Sequence, residues 1–355
     1  MIASSCGVLN VLLVEEGWTA TIQVARALQA RGCRVTVATL GGSYPVHTHQ
    51  GITWRAGAQL RDLRRFALDH DCVIPMTERL LVELEHPAVF PRMTASQRHL
   101  VADKHALLAH LAAAGVEVPV QRPLDRAHEL GFPLVLKGST GAAGSHVAIV
   151  DDARALPRAI ARARAVGGTW LAQEYLPSAT YLVGGVFHAG KPLRLYAAEK
   201  LEQYPPRTGP AIRLRSDARE SLVDLGTRAV GALEWTGLAS VDIMRRADGR
   251  YVALEINPRP WSSIAGAAEA GVDLFTPLAA LLAGRVPAPE LSFKPNCESR
   301  VFPRYLLANR YWNLRGLSRA VRDLLGPRGE DWRDLGFTAR YLARYYATRA
   351  QWRGF

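Results

Sequence analysis

Residues 237–247, GLASVDIMRRA, and 250–258, RYVALEINP, flank an Asp248-Gly249 pair. Read as a two-residue hairpin turn, the pair sets Asp242 opposite Glu255. Asn257 follows on the same face, because strand side chains alternate. Two carboxylates facing across a ladder repel and weaken the pairing. A bound cation removes that cost. Hard oxygen ligands from two or three groups, with the other positions left to phosphates, describe magnesium in a nucleotide site better than a closed calcium cage. The alternative is an exposed hairpin whose acids face water beside Arg245, Arg246 and Arg259.

Working outward, the string LEINPRPW and the segments before it resemble the ATP-grasp superfamily, specifically its carbamoyl-phosphate-synthase-like, carboxylate–amine ligase branch. The resemblance covers about residues 8–288. It implies that Asp242, Glu255 and Asn257 hold one or two Mg2+ ions (Mn2+ being an alternative) on the phosphates of ATP, and that Arg259 binds the anionic group being transferred. Upstream, Asp103-Lys104 opens a helical run, DKHALLAHLAAAGVEVP, that looks like the family's first phosphate lysine and its helix. FPLVLKGSTGAAGSHVAIV reads as strand, small-residue loop and strand, with Lys137 matching the second phosphate lysine. The loop Gly138-Ser139-Thr140-Gly141-Ala142-Ala143-Gly144 looks like the flap over the phosphates, and glycine lets backbone N–H groups converge on phosphate oxygens. His146 follows it, facing either a phosphate or solvent. WLAQEYLP resembles the adenine hinge, with Gln173, Glu174, Tyr175 and Leu176 near the base.

Composition bears on the lysines independently. Only Lys104, Lys137, Lys191, Lys200 and Lys294 stand among 44 basic residues, so arginine is the default cation of this chain. A compact ammonium suits a phosphate approached end-on, where a planar guanidinium does not fit. One element departs from the family. Where many members carry Gly-x-Glu or Gly-x-Asp for the ribose hydroxyls, this chain reads Ser178-Ala179-Thr180, which leaves Thr180, Glu199 or Glu202 as ribose candidates. Arg213 and Arg215, in AIRLRS, are candidates for the acceptor substrate. So are Ser262 and Ser263, although a helix N-cap would explain one of the serines.

The expected fold is α/β (α+β). A doubly wound domain (1–98) precedes ATP-grasp subdomain A with the flap (99–170) and subdomain B with the hinge and metal strands (171–288), both with antiparallel sheets. A basic helical extension (289–355) follows. In the first domain, VLLVEEGWTATIQVARALQARGCRVTVATL reads as strand, helix, strand, with Ile22, Val24, Ala25 and Leu28 at helical spacing. CVIPM is another strand. No GxGxxG follows the first strand, so a dinucleotide site is not expected. Pro75 and Glu78 form a P-x-x-E step similar to that of pre-grasp domains, and Trp18 and Thr19 sit where open parallel sheets place ligands. His47 and His49 read as loop.

With 355 residues, 48% of them hydrophobic, the chain can build two or three cores. Four scattered cysteines without CxxC spacing argue against a disulfide framework or zinc site and suit the cytoplasm. The net charge is +12, of which residues 304–355 supply eleven Arg against four acids, interleaved with Trp312, Trp332 and Trp352. This stretch reads as a packed helical appendix, as a patch for a large anionic precursor, or as a peripheral contact with an anionic membrane. No nucleic-acid motif accompanies the charge, so a nucleic-acid partner is not expected. The resemblance implies a ligase joining a small-molecule carboxylate, amino acids by default, to an amine through an acyl phosphate; a homodimer is compatible with it. Alternatives are a carboxylase or carbamoyl-type enzyme, or a nucleotide-dependent module docking a polyanion or membrane.

Overall fold

A computed structural model of the chain describes residues 8–16, 20–40, 52–141, 146–204 and 206–301. Trp18, Thr19, His47, His49, Gly144 and residues 302–355, which hold the basic aromatic stretch, lie outside the described residues.

The first sheet is parallel, as its continuous apolar runs require of strands covered on both faces. It comprises β1 (Asn10–Glu15), β2 (Arg34–Leu40), β3 (Ile52–Ala58) and β4 (Cys72–Pro75) in the order β3-β2-β1-β4. The helix Ala20–Gln29 buries Ile22, Val24, Ala25 and Leu28, the expected set. The strand β3 is an addition to the expectation. A small antiparallel sheet follows, with β5 (Gln121–Pro123), β6 (Leu134–Gly138), β7 (Val147–Val150) and β8 (Trp170–Glu174) in the order β5-β8-β6-β7.

A six-stranded antiparallel sheet completes the described fold. Its strands are β9 (Thr180–His188), β10 (Lys191–Gln203), β11 (Ala211–Ser216), β12 (Gly237–Arg245), β13 (Tyr251–Asn257) and β14 (Glu298–Arg300), ordered β13-β12-β9-β10-β11-β14. Central β9 is buried from Tyr181 to Phe187 because both of its faces are covered. Tyr181, Val183 and Phe187 pack with the helices Lys104–Ala113 and Glu220–Ala232, while Leu182 and Val186 pack on the other face in the core that also holds Val11, Val24 and Leu278. Each such fully buried side chain stabilises by about 1.5–3 kcal/mol.

The domain limits expected from sequence need two corrections. The boundary at 170/171 cuts β8, which pairs with both β5 and β6 and so belongs to the small sheet. The boundary at 288 is too early, because β14 pairs antiparallel with β11 and extends the large sheet to its edge. Residues 289–301 are therefore not part of a helical extension. Among the described residues, no helix is long and apolar enough to cross a membrane.

Candidate active site

The ladder sets Asp242 opposite Glu255 and Ser240 opposite Asn257. The route to that register differs from the two-residue turn. Arg246 N donates to Arg250 O at 2.8 Å and Gly249 N to Arg246 O at 3.0 Å, which closes a three-residue loop, Ala247-Asp248-Gly249, with Gly249 at φ +91°. Such a loop shifts the pairing by one residue, and a bulge shifts it back: Ile243 faces Ala253, so Leu254 is the extra residue beside the Asp242–Glu255 pair. The bulge also has a use. It presents the Leu254 carbonyl to Lys137 Nζ at 2.9 Å, in keeping with the way bulges re-aim groups beside functional clefts.

Three lysines converge on the two acids. Lys104 is the first residue of its helix, held there by Asp103, whose Oδ1 accepts from His105 N (2.8 Å) and Ala106 N (3.1 Å). Its own backbone N–H bonds Ser139 O at 2.9 Å, tying the helix start to the end of β6. Lys104 Nζ reaches Glu255 Oε2 at 3.0 Å, Lys137 Nζ reaches the same oxygen at 3.4 Å, and Lys200 Nζ on β10 reaches Asp242 Oδ1 at 2.7 Å. The repulsion expected between the acids is thus screened by ammonium groups. Burial alone would favour the neutral Glu255 carboxyl, but the charges of Lys104 and Lys137 together hold it ionised, well below the usual carboxylate range. Burial lowers the Lys137 pKa, Glu255 opposes that, and the like charge of Lys104 adds to it. His105 is buried behind this cluster with Nε2 3.0 Å from the Lys137 carbonyl; since a carbonyl only accepts, Nε2 carries the proton. Burial pushes its pKa down, with the Lys137 carbonyl opposing the change.

Arg259 lies just past β13 with its side chain only 5% exposed. It donates to Glu78 Oε1 (2.9 Å), Asn257 Oδ1 (3.1 Å) and the Pro260 carbonyl (3.0 Å). Glu78 comes from the first domain. It opens the helix Glu78–Glu83, whose N-cap is Thr77, and the Pro75-x-x-Glu78 step carries it from the end of β4 to the guanidinium. Burial again opposes ionisation of Glu78 and is outweighed by Arg259, so its pKa is lowered.

Asp242, Glu255, Asn257, Arg259, Lys137 and Lys200 share one cleft of about 260 Å3 between the small and large sheets. Gln173, Glu174, Tyr175, Leu176, Thr180, Ser262 and Ser263 line the same cleft. Three of these have local roles that the sequence did not reveal. Glu174 is committed as a strut: its carboxylate accepts from Arg246 (2.7 Å) and Val120 N (2.8 Å), and its N–H donates to Val120 O. Neither serine caps a helix, because the helix Gly266–Glu269 has Ala265 at its N-cap. Both are buried in the turn that precedes it.

Other candidates stand apart from the cleft wall. Arg215 pairs with Glu199 at 2.7 Å and Arg213 with Glu202 at 3.1 Å, each across the β10–β11 ladder. Glu199 neighbours Lys200 on β10 and so faces the opposite side of the sheet. None of these four lines the cleft: the two arginines and the two acids are engaged with one another across the ladder. Ser139, Thr140, Gly141 and His146 also lie off the wall. The His146 Nδ1 is 2.8 Å from Thr140 O, and a Cβ on Gly141 (φ +108°) would come within 2.7 Å of that ring nitrogen. The histidine therefore braces its own loop.

Sequence reading missed Lys200 and Arg207. The latter stands in the β10–β11 loop, its guanidinium 5.1 Å from the Tyr175 ring centroid and 3.2 Å from Asp151, so it spans the cleft mouth from one sheet to the other. The signal for Lys200 was the scarcity of lysine itself.

Two antiparallel sheets enclosing a cleft with clustered lysines and a strand-borne acid pair define a nucleotide-type ligand site on an α/β scaffold. Residues 101–263 match the ATP-grasp domain family. A D-alanine–D-alanine ligase of Desulforudis audaxviator (strain MP104C) is 29% identical over 182 residues, a match that covers 45% of this chain and 59% of that protein. An L-amino acid ligase from Bacillus licheniformis superposes with TM-score 0.64 at 17% identity, covering 78% of this chain and 75% of the other. The N5-carboxyaminoimidazole synthetase from Staphylococcus aureus, complexed with ADP, gives TM-score 0.67 at 16% identity, with 80% and 79% covered.

Proposed function

We propose that the chain is an ATP-dependent carboxylate–amine ligase, forming an amide or peptide bond and releasing ADP and phosphate. The observation that carries this reading is the meeting of Lys137 and Lys200 with Asp242 and Glu255 in one cleft, with Lys104, off the cleft wall, ion-paired to Glu255. The donor set suits Mg2+, or Mn2+ in its place: two carboxylates and the Asn257 amide oxygen are hard ligands, and they fill only part of an octahedron, leaving room for phosphate oxygens. When bound, the ion would neutralise charge on the transferring phosphoryl group. Lys104, Lys137 and Lys200 would hold the phosphates in line. The apolar wall of Val135, Ile149, Leu176 and Met244 is the part of the cleft suited to a nucleobase.

A substrate carboxylate oxygen takes the γ-phosphoryl group, with ADP leaving, and an acyl phosphate forms. Arg259, fixed by Glu78, would stabilise the anionic oxygens of that intermediate. The amine nitrogen then attacks the acyl carbon, phosphate departs with the C–O bond, and the nitrogen loses a proton to give the amide. Amino acids are the first substrates to try, since two similar proteins are named ligases of amino acids. Purified protein should release ADP only when a carboxylate and an amine are both present. ADP release that needs bicarbonate instead would favour a carboxylase, the reading suggested by the likeness to the carboxyaminoimidazole synthetase. Tight ATP binding without turnover across a broad panel would favour a binding module.

A further inference from the structure

Arginine supplies nearly all the positive charge of this chain, yet three of its five lysines gather at one acid pair. They lie on three separate elements: a helix start, a strand of the small sheet and a strand of the large sheet. Each is largely withdrawn from water, with side chains 16%, 7% and 7% exposed for Lys104, Lys137 and Lys200. Elsewhere in the same region the chain uses arginine for pairs that stay fixed, as in Arg246–Glu174 and Arg259–Glu78. A guanidinium locked in a fork holds one partner, whereas an ammonium on a four-carbon stem can exchange one oxygen for another close by.

We infer that Lys104, Lys137 and Lys200 are resident counter-ions of Glu255 and Asp242, so that a divalent cation enters this cleft only together with a polyphosphate. The inference rests on the ATP reading above and adds an order to it. The two acids and three ammonium groups sum to one positive charge. A divalent cation arriving alone must displace the lysines from both acids, adding its own two charges and leaving buried ammonium groups without a counter-ion. Lys137 would keep the Leu254 carbonyl, a neutral partner. An uncompensated buried charge is the expensive outcome. A triphosphate reverses the balance: its oxygens receive the ammonium groups as they leave the carboxylates, and the acids become free for the metal. Metal and nucleotide are then positively coupled, and by linkage each tightens the other by the same factor.

The test is a Mn2+ titration of the full chain, reading free Mn2+ by its paramagnetic resonance signal with and without a non-hydrolysable ATP analogue, after subtracting the Mn2+ that the same analogue binds in the absence of protein. Analogue binding is followed separately by calorimetry. Wild-type protein should bind Mn2+ at least about 10-fold more tightly when the analogue is present, within the usual range of coupling between sites. Lys200→Met leaves Asp242 without its lysine, so this variant should bind Mn2+ alone about 10-fold more tightly than wild type and show a smaller coupling factor. Should Lys200→Met fail to fold, Lys104→Met, which strips one ammonium from Glu255, carries the same expectation. Wild type that binds Mn2+ alone as tightly as the variant overturns the inference. So does an analogue that binds but leaves the Mn2+ affinity unchanged, and in that case the ligase reading stands. An analogue that does not bind at all overturns both.

Discussion

The most informative single substitution is Glu78→Gln, because it tests how the helix after β4 contributes to a cleft whose other described parts lie beyond residue 134. In the folded protein the Glu78 carboxylate faces the Arg259 guanidinium at 2.9 Å, with side-chain exposures of 18% and 5%. Removing one partner of a buried ion pair costs about 3–5 kcal/mol, because the other charge is left uncompensated. Here the loss is smaller. Arg259 keeps Asn257 Oδ1 and the Pro260 carbonyl, and the glutamine amide oxygen can still accept one hydrogen bond. What disappears is the charge assistance, worth about 2–3 kcal/mol, or about a 30- to 150-fold smaller folding constant. Urea unfolding followed by tryptophan fluorescence near pH 7 would read that difference.

Its pH dependence distinguishes the ion pair from a packing effect. The Glu78 pKa is lowered in the folded protein, burial opposing the change and Arg259 overcoming it. A depressed folded pKa gives stability that is present above the unfolded value, ordinarily 4.5, and lost as pH falls through the folded one. The gap between wild type and Glu78→Gln should therefore be full near neutrality and close progressively at pH values below about 4.5. A gap that is absent at neutral pH, or that persists unchanged through the acid range, refutes the reasoning. Turnover should fall with the stability, since Arg259 loses the contact that aims it.

Glu255→Gln and Lys137→Ala should each reduce ADP release by at least about 100-fold while circular dichroism stays native, because each removes a charge that faces the reacting phosphates; near-full activity in either would misplace the site. Gly184→Ala should destabilise by about 1–3 kcal/mol, since the new Cβ would lie 2.7 Å from the buried Trp261 ring, and a shift in tryptophan emission should accompany the lower unfolding midpoint. ATP and 2′-deoxy-ATP should support turnover within about threefold of each other, because a charge-assisted ribose contact, worth about 10- to 100-fold, finds no unpaired carboxylate acceptor on the described cleft wall. The acids on the described cleft wall are Glu174, Asp242 and Glu255, and all three are already ion-paired. A preference for ATP above about 10-fold would show that the ribose is recognised after all.

How far the fold was legible in the sequence depends on the range of the interactions involved. Local signals carried well: the helix over Ile22, Val24, Ala25 and Leu28, the strand–loop–strand around Lys137 and the facing of Asp242 and Glu255 all rest on neighbours close in sequence. The last came out right through two offsetting departures. Asp248-Gly249 gives a three-residue loop rather than a two-residue one, and Leu254 restores the register by bulging. Nothing in the alternation of YVALEIN marks Leu254 as the extra residue. What fixes it is tertiary: Lys137 arrives from another sheet to use its carbonyl, and Ala253 N bonds Glu117 O.

The charged residues of β10 and β11 that face away from the cleft share one physical origin. Glu199, Glu202, Arg213 and Arg215 were weighed one at a time, as ribose and substrate contacts, although opposite charges spaced along consecutive strands have a cheaper use as cross-strand pairs. Folding EKLEQ against AIRLRS as an antiparallel pair brings each arginine opposite an acid, so that Arg215 meets Glu199 and Arg213 meets Glu202 as ion pairs. The same alignment puts Lys200 on the other face of β10, away from those pairs, where its partner must come from β12 across β9. A lysine flanked by acids on its own strand reads as surface charge until the order β12-β9-β10 is known. Then the acid it meets is Asp242, and a residue that looked incidental becomes the third cation of the cleft.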